Sequence, residues 1–264
     1  MTTPGRGAPR RDPSQQPADA PLRRLWTAVS AGGLGDWLTL IALTAFAAAL
    51  TAGSGLRAQG LAVGGVFLAR LLPPVLLDGP AGALAARFDR RLAMAVTDLV
   101  RLALVVTVPL VGDYRWTVAV AFLLGCAGAL WTPAKDALLA ALLPRPEEAE
   151  WRRVKAEYGT APVAAVLFAL LALLAELPGR VTPETATRPA ALALYGSAAA
   201  YLIAAVLVFL LRPALQGGPA LGGAAVLRRL GDGRRRFGGD RVAGGLVAGM
   251  LVALAACGAE IGLG

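Results

Sequence analysis

The chain has 264 residues, of which 56% are hydrophobic and only 16% are charged, and its formal net charge is +9. Soluble domains carry about 25% charged residues, so the composition excludes an ordinary soluble protein. The ten-residue alternation of polarity that marks outer-membrane strands is not found, which leaves an all-α membrane protein as the predicted fold class.

The first 21 residues differ from the rest of the chain. They are rich in Pro, Arg, Gln and Asp and contain no apolar run, so we predict a disordered cytoplasmic tail over 1–21. The first apolar run that follows is too long for a cleavable signal peptide, and no small-residue cleavage site comes after it.

Apolar spans then follow one another at short intervals. A helix needs roughly 20 apolar residues to cross a hydrocarbon core about 30 Å thick. The predicted spans, in chain order, are 25–50, 61–85, 92–111, 116–143, 157–177 and 191–211. A basic cytoplasmic linker is predicted over 212–241, and 242–264 is predicted to begin a seventh membrane helix.

The basic residues predict the orientation of these spans. If the N-terminus is cytoplasmic, the cytoplasmic segments hold 19 of the 26 Lys and Arg residues and the opposite loops hold four. This is the asymmetry of the positive-inside rule. We therefore expect a multi-pass protein of the inner (plasma) membrane, and we interpret the net charge as a topological signal, not as a nucleic-acid site.

A basic turn joins the second and third predicted spans. Its sequence is Gly82-Ala83-Leu84-Ala85-Ala86-Arg87-Phe88-Asp89-Arg90-Arg91. It resembles the loop signature of the major facilitator superfamily, approximately G-x-L-A-D-R-x-G-R-R, at the position where that family carries it. The signature residues are Gly82, Arg87, Asp89, Arg90 and Arg91, whereas Ala86 stands where the family has aspartate. Further matches are Leu34-Gly35-Asp36-Trp37-Leu38 and Thr97-Asp98-Leu99-Val100-Arg101.

The resemblance, specifically to bacterial efflux-type permeases, implies a fold and a function. The fold would be the N-terminal six-helix bundle over 22–211, built as a 3+3 inverted repeat, followed by a partial seventh helix. The function would be proton-coupled efflux of a small amphipathic or hydrophobic compound by alternating access. The partners would be this small molecule, the lipid bilayer, and a second transmembrane half or a second copy of the chain. The alternative is a truncated or half-length membrane protein that acts as a partner or scaffold without transporting.

Charged residues inside spans are costly, so they are the candidate functional residues. Counting helix rise places Asp36 and Arg70 at similar depths on neighbouring antiparallel helices, where they are expected to pair and to line a substrate or proton pathway. A second group is predicted nearer the cytoplasm, as a gating cluster or as polar contacts that hold helices together. Its members are Asp78, Asp98, Arg101, Lys135 and Asp136.

The sequence offers no set of catalytic groups. It contains no histidine, and no nucleophile-plus-base pattern or phosphate-binding loop is found. Cys126 and Cys257 both lie in apolar runs, which makes a disulfide or a zinc site an unfavoured interpretation. We therefore predict neither an enzyme nor a cofactor or metal site.

Overall fold

The structure is a computed structural model that describes residues 16–85, 89–142, 154, 158–176 and 186–211. Within these ranges the chain is helical apart from short turns. The helices, in chain order, are α1 (Gln16–Leu50), α2 (Leu56–Ala85), α3 (Arg90–Val111), α4 (Tyr114–Leu142), α5 (Ala161–Glu176) and α6 (Arg188–Phe209), with a 3-10 turn at Ala52–Ser54.

The all-α membrane fold predicted from the sequence is confirmed. Five of the helices contain segments that are long and apolar enough to cross a membrane. These segments are Leu22–Leu50, Leu56–Leu77, Arg90–Val111, Tyr114–Leu139 and Arg188–Phe209. The predicted linker 212–241 and the predicted seventh helix 242–264 lie outside the described residues.

The fifth predicted span is shorter than expected. We predicted 157–177, but α5 occupies Ala161–Glu176, which at 1.5 Å per residue is about 24 Å long. Gly159 and Thr160 form a turn before it, and the Thr160 carbonyl accepts from the Ala164 amide at 2.9 Å. Pro162 follows in the first helical turn, where its missing N–H removes no helical hydrogen bond.

The boundary of the predicted N-terminal tail is also wrong. The tail was expected to end at residue 21, whereas α1 already begins at Gln16. Pro17 stands in the first turn of the helix, where proline is tolerated, so the polar composition of this segment does not prevent helix formation.

The helices pack in a pattern with internal symmetry. α1 packs most extensively on α6, α2 on α4, and α3 on both α6 and α4, while α5 lies against α1 and α6. If α1, α2 and α3 are exchanged with α4, α5 and α6, respectively, the α1–α6 contact becomes the α4–α3 contact. The α2–α4 contact likewise becomes the α5–α1 contact. Both members of these two pairs are present, whereas the α1–α2 and α5–α6 contacts have no counterpart of similar extent among the described residues, so the symmetry of the packing is partial.

Two buried apolar clusters fill the bundle at different levels. One contains Leu38, Val105 and Leu124, and the other contains Val29, Ala95 and Ala134. Between them, on α1 and α3, lies a short stretch of helix that carries charged residues, while Lys135 and Asp136 of α4 lie next to Ala134 of the second cluster. The candidate site occupies this boundary.

Candidate functional site

Asp36 is the centre of a polar network. Its Oδ1 atom accepts from Arg70 Nη2 at 2.6 Å and from the Tyr201 hydroxyl at 2.9 Å, and its Oδ2 atom lies 3.4 Å from Arg101 Nη1. The three donors come from α2, α6 and α3, so one carboxylate on α1 connects four helices. The Asp36–Arg70 pair predicted from helix depths is confirmed.

Arg101 extends this network toward the second predicted group. The same Nη1 atom lies 3.4 Å from Asp98 Oδ1, one helical turn away on α3. Trp131 Nε1 donates to the other Asp98 oxygen at 3.4 Å. The two predicted groups are therefore joined through Arg101, a link that the sequence prediction did not include. The depth count located Cα atoms, whereas the long arginine side chain crosses the interval between the levels.

Aromatic rings surround the buried cations. The Arg101 guanidinium carbon lies 5.1 Å from the centre of the Trp131 ring and 5.7 Å from that of Tyr201. Lys135 Nζ is also 5.1 Å from the Trp131 ring. Ring faces attract cations more strongly where water is excluded, so Trp131 contributes to holding two charges inside the bundle.

Among the described side chains, the network is balanced in charge. Three acidic side chains (Asp36, Asp98 and Asp136) match three basic ones (Arg70, Arg101 and Lys135). Lys135 and Asp136 approach to 3.7 Å. Burial is uneven: Asp98 and Arg101 are 0% and 1% exposed, whereas Asp36 is 29% and Asp136 is 36% exposed. The network therefore meets its surroundings at Asp36 and at Asp136.

The signature turn makes contacts of a different kind. Asp89 caps the start of α3 by accepting from the Arg91 amide at 2.9 Å. Arg90 Nη1 donates to the Ala137 carbonyl at 3.1 Å, and Arg91 donates to the Leu211 carbonyl and lies over the Phe209 ring. These contacts join α3 to the ends of α4 and α6.

Three predicted site residues are described only in part or not at all. Asp78 and Gly82 belong to α2, but the Asp78 side chain is outside the described part of the molecule. Arg87 is also outside it. Their proposed roles in gating and in the signature loop stay predictions.

Comparison with known proteins identifies the family. Residues 17–150, just over half of the chain, match the family described as transmembrane secretion effector. The chain belongs to this family of the major facilitator superfamily. It is also similar to the uncharacterized MFS-type transporter YfiS of Bacillus subtilis (strain 168), with 28% identity over 123 residues. The match covers 47% of the chain and 28% of that relative's length. No solved structure matches.

The sequence prediction missed the aromatic residues of this site. Tyr201 and Trp131 both bond to carboxylates of the network, and Thr39 lies 3.3 Å from the Tyr201 hydroxyl. Tyr201 is 165 residues from Asp36, so local spacing could not connect them. A signal was nevertheless present, because a phenol in mid-span requires a hydrogen-bond partner.

The site can hold and exchange charges. Across the described ranges, no group of three or more Asp, Glu or Cys side chains is placed to hold a metal ion. The network instead offers guanidinium donors, a partly exposed carboxylate and a phenol, all carried by different helices. A relative movement of the helices would change which of these charges are paired.

Proposed function

We propose that this chain forms part of a secondary active transporter that moves small amphipathic or hydrophobic compounds out of the cell. Transport would be driven by protons and would proceed by alternating access of a central site. Membership of the superfamily supports the transporter class, and a rocking mechanism is the one expected for a bundle built from two repeats.

The observation that carries the proposal is the position of Asp36. The apolar segment of α1 runs from Leu22 to Leu50, and Asp36 is its central residue, about 21 Å from either end. A carboxylate at this depth costs several kcal/mol unless it is compensated. Its 29% exposure means that it meets the surroundings of the bundle, where a transported compound would pass.

Proton coupling would follow from the pairing of Asp36. When α1 moves away from both α2 and α3, Asp36 loses both guanidinium partners. A carboxylate that loses its counter-charge inside a membrane must acquire another, and a proton is the smallest cation available. Uptake of a proton on one side and its release on the other would link the movement to the proton gradient.

The proposal also includes the orientation of the bundle in the membrane and the partner that completes the transport pathway. The end of the bundle that holds the α2–α3 turn would face the cytoplasm of an inner-membrane protein. A second transmembrane half, or a second copy of the chain, would complete the pathway beside Asp36. Arg101, Lys135 and their carboxylate partners would then act in gating.

The test is transport by the full-length protein in proteoliposomes. Fluorescent amphipathic probes of positive, negative and zero charge would be followed with and without an imposed pH gradient. We expect Asp36→Asn to lower the gradient-dependent rate at least tenfold. Asp113→Asn is the matched control, because Asp113 is exposed and its cap to the Trp116 amide is one that asparagine also makes.

Two results would contradict the proposal. The first is an Asp36→Asn protein that keeps its gradient-dependent rate while remaining monodisperse. The second is a wild-type protein that moves no probe of any charge under either condition.

A further inference from the structure

One phenol of α6 is fixed against α1 at three points. Tyr201 is 0% exposed, and its hydroxyl donates to Asp36 Oδ1 at 2.9 Å. The same hydroxyl lies 3.3 Å from Thr39 Oγ1, one helical turn further along α1. The ring packs closely on α1 at Gly35, where a Cβ atom would lie only 3.0 Å from Tyr201 Cε1. The hydroxyl is therefore held beside Asp36 by the ring as well as by its own hydrogen bonds.

The phenol differs in chemistry from the other partners of Asp36. Arg70 and Arg101 offer N–H donors and no acceptor. A hydroxyl is both donor and acceptor, and either oxygen of the Tyr201–Thr39 pair can be the donor. If Asp36 takes up a proton, its new O–H group can donate to Tyr201, whose hydroxyl then donates to Thr39. Thr39 can in turn donate to a carbonyl of its own helix, as threonine commonly does.

Tyr201 is also the partner that is placed to stay with Asp36 when the helices move. Among the described residues, α1 packs more extensively on α6 than on any other helix. The charged partners of Asp36 lie on α2 and α3, from which α1 moves away in the proposed function. Among the described side chains, Tyr201 would then be the partner that a protonated Asp36 retains. An unpaired carboxylic acid at this depth would be costly.

The helices around α1 bring different titratable groups to the network. The charged side chains, from α2, α3 and α4, are Arg70, Asp98, Arg101, Lys135 and Asp136. α5 has no titratable side chain over 161–175, and from α6 it is Tyr201 that contacts Asp36. The basic groups and the phenol already carry their protons, so only the carboxylates of this set can take one up. Of these carboxylates, Asp36 is the one bonded to Tyr201 within the described residues.

We propose that Tyr201 is a positioning residue that holds Asp36 in both its ionised and its protonated form. The inference rests on the proposed function, in which Asp36 takes up and releases a proton. Without the phenol hydroxyl, the ionised carboxylate still has two guanidinium donors, whereas the protonated one loses the acceptor that Tyr201 supplies. Removal of the hydroxyl should therefore act mainly on the protonated form.

The experiment is infrared difference spectroscopy of the full-length protein in liposomes, recorded on acidification. A carboxylic acid has a C=O stretching band that moves to higher frequency when the acid loses a hydrogen bond. The band that the wild type shows and Asp36→Asn lacks belongs to Asp36. We expect this band at a higher frequency in Tyr201→Phe and at an unchanged frequency in Tyr195→Phe. The latter is the control, because Tyr195 is on the same helix and is 42% exposed.

A second variant, Thr39→Val, keeps the phenol and removes its other partner. We expect the Asp36 band of this variant to move in the same direction by a smaller amount. If Tyr201→Phe does not fold, an unshifted band in Thr39→Val overturns the inference.

Transport under an imposed pH gradient gives an independent measurement. Tyr201→Phe should lower the maximal rate about tenfold, since a hydrogen bond to the proton-carrying group is lost. The half-saturating concentration of the probe should stay within twofold of the wild-type value, because Tyr201 acts on Asp36 and not on the probe. A general distortion of the bundle would change both quantities.

The outcomes separate this inference from the proposed function. An Asp36 band at the same frequency in the wild type and in Tyr201→Phe, or a wild-type maximal rate in Tyr201→Phe, would overturn the inference alone. The absence of any Asp36-dependent band in the wild type would overturn both, since Asp36 would then take up no proton. A shifted band in a protein that moves no probe would support the inference and contradict the proposed function.

Discussion

Arg101 carries its charge inside the bundle with 1% of its side chain exposed. Two carboxylates and two aromatic rings compensate for the water it has lost. Such a group adds little net stability while it is paired, but removing it leaves its partners uncompensated. Without Arg101, the Asp98 carboxylate, which is 0% exposed, would keep Trp131 Nε1 as its partner among the described residues.

We therefore expect Arg101→Gln to be among the most destabilising single changes in this bundle. Breaking a buried ion pair costs about 3–5 kcal/mol. At about 2–4 °C per kcal/mol, the unfolding midpoint would fall by about 10 °C. Differential scanning fluorimetry of the detergent-solubilised protein measures this shift.

The control for that measurement is Arg57→Gln, because Arg57 is exposed at the start of α2. Its midpoint should move by less than about 2 °C, since exposed charges contribute about 0–1 kcal/mol. Equal shifts in the two variants would contradict the buried role assigned to Arg101.

Residue contacts were predictable only where helix geometry alone determines them. Asp36 and Arg70 lie on neighbouring helices at similar depths, so counting residues was enough to pair them. The Arg101–Asp36 contact depends on side-chain length and on how α3 packs, which a depth count does not contain.

At the level of helices, a glycine marks a close approach between α2 and α4. A Cβ at Gly125 would lie 2.6 Å from the Arg70 carbonyl oxygen and 2.9 Å from Pro73 Cγ. Pro74 has no N–H, so this carbonyl lacks its usual helical donor. The glycine thus lets α4 pack against a stretch of α2 whose backbone is altered by proline.

We expect Gly125→Ala to destabilise the protein, because the clash is with backbone and no side-chain rotation relieves it. Overpacking of this kind costs about 1–3 kcal/mol. Gly64→Ala, on α2, should be neutral or stabilising, since alanine favours helix and meets open space there. Thermal unfolding of the two variants gives the comparison, and a Gly125→Ala midpoint at or above that of Gly64→Ala would show that the helices are farther apart.

Helix positions followed from hydrophobicity better than helix ends did. The centres of the six predicted spans all fall within observed helices, because burial and lipid contact demand apolar residues there. The ends depend on local chemistry. Pro162 near the start of α5 and Pro17 near the start of α1 mark boundaries that an apolar window does not detect.

For the whole molecule, charge and loop length predict an orientation that labelling can test. Arg24, near the start of α1, and Arg57, near the start of α2, are both exposed and lie at opposite ends of the bundle. In a protein with Cys126 and Cys257 replaced by alanine, single cysteines would be placed at each position. An impermeant maleimide applied to intact cells should modify Arg57→Cys and spare Arg24→Cys.

Permeabilised cells provide the control, because both cysteines should then react. Labelling of Arg24→Cys in intact cells would reverse the orientation and contradict the positive-inside argument. The sequence was sufficient for this prediction because lipid imposes a single axis on the helices and short loops force them to alternate. How the helices are arranged around that axis could not be predicted from the sequence, because it depends on the packing of side chains.

The ion pairs around Arg101 differ in whether they cross from one helix to another. Asp98 lies on the same helix as Arg101 and moves with it, while Asp36 has Arg70 and Tyr201 on other helices. If α1 and α3 part, each side keeps an opposite charge beside its own, and neither is stranded in lipid. Separation of α1 from α3 would therefore break the Asp36–Arg101 contact without leaving either side chain unpaired.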